Sequence, residues 1–189
     1  MKARGYHHGN LRQALVAEAV RAIAAEGPTA LSLRAVARRA GVSHAAPQHH
    51  FHDKTGLLTA VAAEGFRRLA GELERVYGET GSFLEVGVAY VRFATEQRPY
   101  FEVMFRPDLY RRDDPELAAA GEQARAMLYK PVARLVDGEA EVLRGAIAAW
   151  SLVHGLATLI LNGNLPPELA ADPDATARSV ASMLFSERR

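Results

Sequence analysis

Between residues 31 and 54 the chain reads LSLRAVARRAGVSHAAPQHHFHDK, and the side chains able to do chemistry here are hydrogen-bonding groups rather than nucleophiles. Ser32 and Arg34 suit phosphate, and Arg34 also suits a groove edge. His44, Gln48, His49 and His50 offer donors and acceptors for base edges, while Ala45 and Ala46 permit close approach or contact with a thymine methyl. Lys54 sets a cation beside free N–H groups at the start of a further helix, a phosphate clamp. Holding these groups requires two short helices around a tight turn. Leu33, Val36, Ala37 and Ala40 recur at helical spacing behind Ser32 as N-cap, and Gly41 stands where a helix-ending glycine belongs. Val42 plugs the turn, and Ser43 is placed to cap a second helix over residues 44–51, with Phe51 packed between the helices. Pro47 fits only in the first turn of so short a helix. A helix-turn-helix braces its first helix on the nucleic-acid backbone and lays the second in the major groove.

Composition agrees with a polyanion partner for this part of the chain. Residues 1–70 hold ten Lys and Arg against four Asp and Glu, and residues 71–189 thirteen against eighteen, so the net charge of +1 conceals halves of opposite sign. Six of the seven histidines precede residue 53, which makes the first part more positive at mildly acidic pH. His7 and His8, with Lys2, Arg4 and Arg12, read either as a basic arm reaching the minor groove or as an untidy terminus. A zinc site among His44, His49, His50 and His52 is disfavoured, because neighbours at i and i+1 point apart and only Asp53 accompanies them. No metal and no cofactor is expected.

The 189 residues are 49% hydrophobic, enough for a sizeable core, and the absence of cysteine fits a reducing cytoplasm. No uninterrupted apolar run approaches about 20 residues, and residues 1–12 lack an apolar signal region, so neither membrane spanning nor secretion is expected. There is no Gly-rich phosphate loop, no G-x-S-x-G elbow and no H-E-x-x-H, so no enzyme constellation stands out.

The elements that position these groups all read as helix. Apolar residues recur every three and four positions, and Val/Ile/Thr-rich alternation never persists long enough for a sheet, so the expected fold is all-α. A leading helix carries Leu11, Leu15, Ala19, Val20 and Ile23 to a Gly27-Pro28 stop. A long helix opens at Lys54 and runs through Leu57, Leu58, Val61, Phe66, Leu69 and Leu73. Basic composition gives way to acidic within it, dividing the chain into 1–70, the nucleic-acid part, and 71–189. Further helices are expected over 82–97, from Pro99 through Phe105, from Asp113/Asp114 to a break at Pro131, over 139–161, and from Asp174. Arg111-Arg112-Asp113-Asp114 reads as a solvated loop, as does the Pro166-Pro167 segment. In the most apolar helix, 139–161, Gly145, Ala146, Ala149, Gly155 and Ala157 admit another helix closely. Tyr90, Phe93, Tyr100, Phe101, Met104, Phe105, Met127, Trp150 and His154 either line a ligand cavity or fill a core, with Tyr90, Arg92 and His154 as polar groups for such a cavity.

Over about 55 residues, with a leading helix closing on AIAAEG, then LSLRAVARRAGVS, then HHFHDKTGLL, the sequence resembles the DNA-binding domain of TetR-type transcriptional regulators. That family usually carries a tyrosine at the position of Gln48, commonly against phosphate, whereas a glutamine can read adenine. Trp150-Ser-Leu-Val-His154-Gly155 is similar to the Trp-x-x-x-His-Gly signature of one subgroup's regulatory domain. The resemblance implies a homodimer joined through the last two helices of each subunit. It also implies a repressor of a palindromic double-stranded DNA operator, released by a small-molecule effector that shifts the helix opening at Lys54. The alternative is a small helical enzyme or ligand carrier whose N-terminal part is a structural bundle; DNA binding separates the two.

Overall fold

The computed structural model of the chain describes residues 8–185. Lys2, Arg4 and His7 of the expected basic arm lie outside the described residues. Ten helices and no strand occur among the described residues: α1 (His8–Glu26), α2 (Leu33–Arg39), α3 (Ala45–Phe51), α4 (Lys54–Thr80), α5 (Phe83–Glu96), α6 (Arg98–Met104), α7 (Pro115–Val132), α8 (Glu139–Leu161), α9 (Pro167–Ala170) and α10 (Pro173–Phe185). The all-α expectation holds. The segment around Pro166-Pro167 is not all loop, because Pro167 takes the first position of the four-residue α9, where a missing N–H has no helical partner to lose.

By contact the chain forms two compact units. One runs to Gly65 and takes in Pro99–Ala118; the other is Phe66–Arg98 with the chain from Ala119 onward. In the first, α1, α2 and α3 pack on one another around Leu15, Ala19, Ile23, Val36 and Phe51, all buried. α6 belongs here too. A methyl on Gly65 would stand 2.6 Å from Met104 Sδ and 3.2 Å from Tyr100 Cβ, so the glycine lets α4 and α6 approach closely. Arg12, beside the expected basic arm and within the expected leading helix, lies in α1, with its guanidinium 5.6 Å over the Phe51 ring and 3.0 Å from Glu116.

In the second unit α5 is the central element and packs on α8 and α10. Its Val86, Val88, Ala89, Tyr90, Val91, Phe93 and Ala94 are buried, and Ser82 caps it by accepting the Glu85 N–H. Two ion pairs join α10 to α5: Arg92 Nε donates to Asp174 Oδ2 at 2.9 Å, and Arg178 Nε to Glu85 Oε1 at 2.8 Å. Pro131 lies in the last turn of α7, which ends one residue later, the break its missing N–H requires. α8 is long and apolar enough to cross a membrane, although its apolar residues are not contiguous. Only 22% of its most apolar window is buried, and Leu143, Ile147 and Trp150 remain exposed.

Candidate nucleic-acid interface and ligand cavity

The turn between α2 and α3 is closed by backbone bonds. Gly41 (φ +67°) closes the end of α2, its N–H donating to Arg38 O at 3.2 Å while Val42 N–H reaches Ala37 O at 3.1 Å. This paired closure needs a left-handed residue at Gly41, which glycine adopts without a Cβ clash. Ser32 has extended N-cap dihedrals and its carbonyl accepts the Val36 N–H, yet its hydroxyl makes no cap bond. Ser43 does not cap α3. His44, already helical at φ −61°, is the N-cap, and Ser43 stands one residue outside it, its carbonyl accepting the Ala46 N–H at 3.0 Å. Pro47 is the third residue of α3, in the first turn as expected, and is buried.

Burial of Pro47 and Phe51 fixes which side of α3 faces out. His44, Ala45, Gln48 and His49 are exposed, at the i, i+1, i+4, i+5 spacing of one helical face, and Ala46 and His50 are half-buried on its flanks. The His50 ring centroid lies 6.1 Å from Phe51 and 5.5 Å from His49. Ser32 and Arg34 are exposed at the start of α2. Neither the Gln48 amide nor the Arg34 guanidinium has a hydrogen-bond partner among the described residues.

Lys54 opens α4, as expected, and one of its N–H donors is engaged by the protein. Its ammonium donates to the Thr29 carbonyl. The helix start beside it is also partly occupied, because Asp53 accepts the Gly56 N–H through Oδ1 at 2.8 Å and the Leu57 N–H through its carbonyl at 3.2 Å. The corner from α3 into α4 is unusually tight. Phe51 O accepts the Asp53 N–H at 2.8 Å across His52, whose φ of +68° and ψ of −49° make a γ-turn in the positive-φ region. A Cβ on Gly56 would sit 1.9 Å from that same Phe51 oxygen. Arg111 was expected in a solvated loop, but its guanidinium lies 2.8 Å from Asp53 Oδ2 and its N–H donates to Thr59 Oγ1 at 3.0 Å. Thr59, 3% exposed, donates in turn to Thr55 O at 2.8 Å. The sequence carries no local sign of this contact, because its partners are 52 and 58 residues apart.

In the second unit a cavity of about 20 Å³ is lined by apolar side chains, among them Leu73, Phe83, Leu128, Leu152 and Val153, with Tyr90 as the polar contributor. Of the aromatic and methionine set, Tyr90 alone lines it. Trp150 Nε1 donates to the Tyr90 hydroxyl at 3.2 Å, and that hydroxyl stands 2.8 Å from His154 Nδ1. Burial pushes the Tyr90 phenol pKa up and the His154 imidazole pKa down, so both are neutral at pH 7. Phe93 and Met127 are buried, and Phe101, Met104 and Phe105 belong to the first unit and do not line the cavity. Arg92 is held by Asp174 instead of facing the cavity. Among the small residues of α8, Ala146 and Ala157 are buried within the protomer and a Cβ on Gly145 would meet Val132, whereas one on Gly155 meets nothing.

The sequence of residues 15–61 matches the family model of bacterial regulatory proteins of the TetR family, and residues 83–184 match that of the tetracycline repressor-like C-terminal domain. A Rhodococcus sp. RHA1 protein of unknown function is 34% identical, with 97% of each chain covered and a TM-score of 0.81. The TetR family transcriptional regulator PfmR from Thermus thermophilus is 22% identical over 93% of this chain and 98% of its own, with a TM-score of 0.62. NalD, the secondary repressor of the MexAB-OprM multidrug efflux pump in Pseudomonas aeruginosa, is 20% identical over 95% and 96%, with a TM-score of 0.58. No curated protein matches. With the second model spanning more than half of the chain, this chain belongs to the TetR family of helix-turn-helix transcriptional regulators, which are not enzymes.

Proposed function

We propose that the protein is a cytoplasmic homodimeric repressor that binds a palindromic operator through residues 1–70 and leaves it when residues 71–189 bind a small-molecule effector. The observation that carries the DNA half is the outer face of α3, together with Arg34 on α2, whose polar groups are exposed. Ser32, Arg34, His44, Ala45, Gln48 and His49 form the contact set, with Ala46 and His50 at its edge and Lys54 beside it, one N–H on the Thr29 carbonyl and two open to phosphate.

Dimerisation is assigned to α8 and α10. Leu143, Ile147 and Trp150 form one exposed stripe on α8, Met183 on α10 is 77% exposed, and Gly155 leaves room for an approaching helix. The Trp150–Tyr90–His154 hydrogen bonds support assignment to the subgroup bearing the Trp-x-x-x-His-Gly signature. Because operator half-sites lie about one helical turn apart, roughly 34–36 Å, an effector needs only to prefer a conformer with a different spacing of the two α3 helices.

Selection of bound sequences from random duplex DNA, followed by a small-molecule release screen on the selected site, tests this reading. A two-fold symmetric site and a compound that releases it are expected. Sedimentation should give a dimer for the wild type and a monomer for Ile147→Glu. Absence of any enriched sequence, or a wild-type monomer at micromolar concentration, would sink the proposal.

A further inference from the structure

Resting on the DNA-binding reading above, we infer that Gln48 reads one A·T base pair in each half-site, by a two-hydrogen-bond contact with adenine in the major groove. Four residues form the exposed face of α3, and their chemistry differs sharply. Ala45 offers only a methyl. His44 and His49 present ring nitrogens whose donor or acceptor role changes with tautomer, so neither imposes a fixed pattern. Gln48 carries a donor and an acceptor fixed side by side on one planar amide, and that amide has no partner among the described residues.

Adenine displays the matching pair in the major groove, the N7 acceptor beside the N6 donor, whereas guanine shows two acceptors there. A glutamine amide satisfies both adenine groups at once, but meets guanine with its carbonyl oxygen facing O6. The surroundings favour this contact. Ala45, three residues before Gln48, keeps the same face low, so the amide can reach the base edge without a bulky neighbour holding the helix away. Buried Pro47 and Phe51 fix the rotation of α3 about its axis, which keeps Gln48 pointing outward.

The test is sequence selection from random duplex DNA with the wild type, Gln48→Ala and Gln48→Arg. The wild-type half-site should contain one strongly enriched A·T position. Gln48→Ala should lose enrichment at that position alone and bind the wild-type site roughly 5- to 150-fold more weakly, the value of one bidentate base contact. Gln48→Arg should move the preference there to G·C, since arginine pairs with guanine O6 and N7. An unchanged Gln48→Ala pattern overturns the inference, as does equal loss at every position or loss at a G·C position. If the wild type itself enriches no sequence, the DNA-binding reading falls with it. Gln48 is exposed, and an unaltered circular dichroism spectrum of each variant excludes misfolding as the cause.

Discussion

Three glycines of α4 experience different surroundings, and replacing each with alanine measures how the corner between α3 and α4 is built. In an open helix position this change is favourable by up to about 1 kcal/mol, through helix propensity and the smaller entropy of the unfolded chain. Gly71, whose Cβ would meet nothing within 4 Å, should show that gain. At Gly56 the new methyl carbon would lie 1.9 Å from Phe51 O, 2.8 Å from the Arg111 guanidinium and 3.0 Å from Phe51 C. An ordinary contact is longer than the first of these by more than an ångström, and the obstacle is backbone at the end of the recognition helix. Overpacking of this kind costs typically 1–3 kcal/mol, at its upper end where backbone must move. A net loss of about 2 kcal/mol is expected for Gly56→Ala, which places it about 3 kcal/mol below Gly71→Ala. For a chain of this size that separates their melting temperatures by roughly 6–12 °C. Gly65→Ala should fall between them, because its closest contact is the thioether of Met104, which can turn aside. Melting followed by circular dichroism, with operator titration well below the transition, reads both consequences. Gly56→Ala should also bind operator more weakly, because the displaced Phe51 carbonyl ends α3. If Gly56→Ala melts at or above the wild type with unchanged operator affinity, the reasoning about this corner is wrong.

Other outcomes follow from particular contacts. Arg34→Ala and Lys54→Ala should each weaken operator binding; a titration across salt concentrations should show the slope falling by about one for each lost phosphate contact. His52→Gly should raise the melting temperature, since relief of a positive-φ strain of about 1–3 kcal/mol exceeds the added entropy cost of glycine; a lower melting temperature contradicts the γ-turn account. The His154 pKa is depressed by burial below its unfolded value near 6.5, so the unfolded chain binds the proton more readily. Its contribution to stability is therefore complete above about pH 6.5 and is lost as pH falls through the folded value, and His154→Phe should flatten that acid-side decline. Trp150 is the sole tryptophan, so Tyr90→Phe, which removes the oxygen its indole donates to, should shift the intrinsic emission; an identical spectrum speaks against that hydrogen bond.

What the sequence discloses of this fold is what local geometry controls. Gly41 is legible because only a left-handed residue closes a helix by paired backbone bonds, and the bounds of α8 are legible because apolar spacing and the Asn162-Gly163-Asn164 stop both act within a turn. Ser43 misleads, because a serine one residue early has the same composition signal as a true cap. Periodicity marks Phe101, Met104 and Phe105 as apolar faces of a helix, but it carries nothing about which of two units those faces enter. The Arg111–Asp53 and Arg111–Thr59 contacts are hidden for the same reason. Their residue types are those of a solvated loop, and only the path of the chain through α6 brings that loop to the start of α4.

Charge ranks Lys54 beside Arg34 as a proposed DNA contact, and hydrogen-bond occupancy shows how each group is held. The Lys54 ammonium carries three N–H donors, so its one bond to Thr29 O positions the cation and leaves two donors open to phosphate. What the protein does occupy beside it is the Gly56 N–H, held by Asp53. Arg34 and Gln48 have no hydrogen-bond partner among the described residues, so on the proposed reading each would exchange only water for nucleic acid. The same criterion explains why Asp53, an acidic side chain beside the helix proposed to read DNA, is tolerable. Both of its oxygens are committed, one to capping α4 and one to the Arg111 cation, which offsets the repulsion it would otherwise exert on the phosphate backbone. Removing Arg111 should therefore weaken operator binding without removing any contact to DNA. Adding Asp53→Asn to Arg111→Ala should restore part of that affinity, because the neutral amide can still accept the Gly56 N–H while no longer repelling phosphate. A double variant no better than Arg111→Ala would mean that Arg111 acts through the placement of α4 alone.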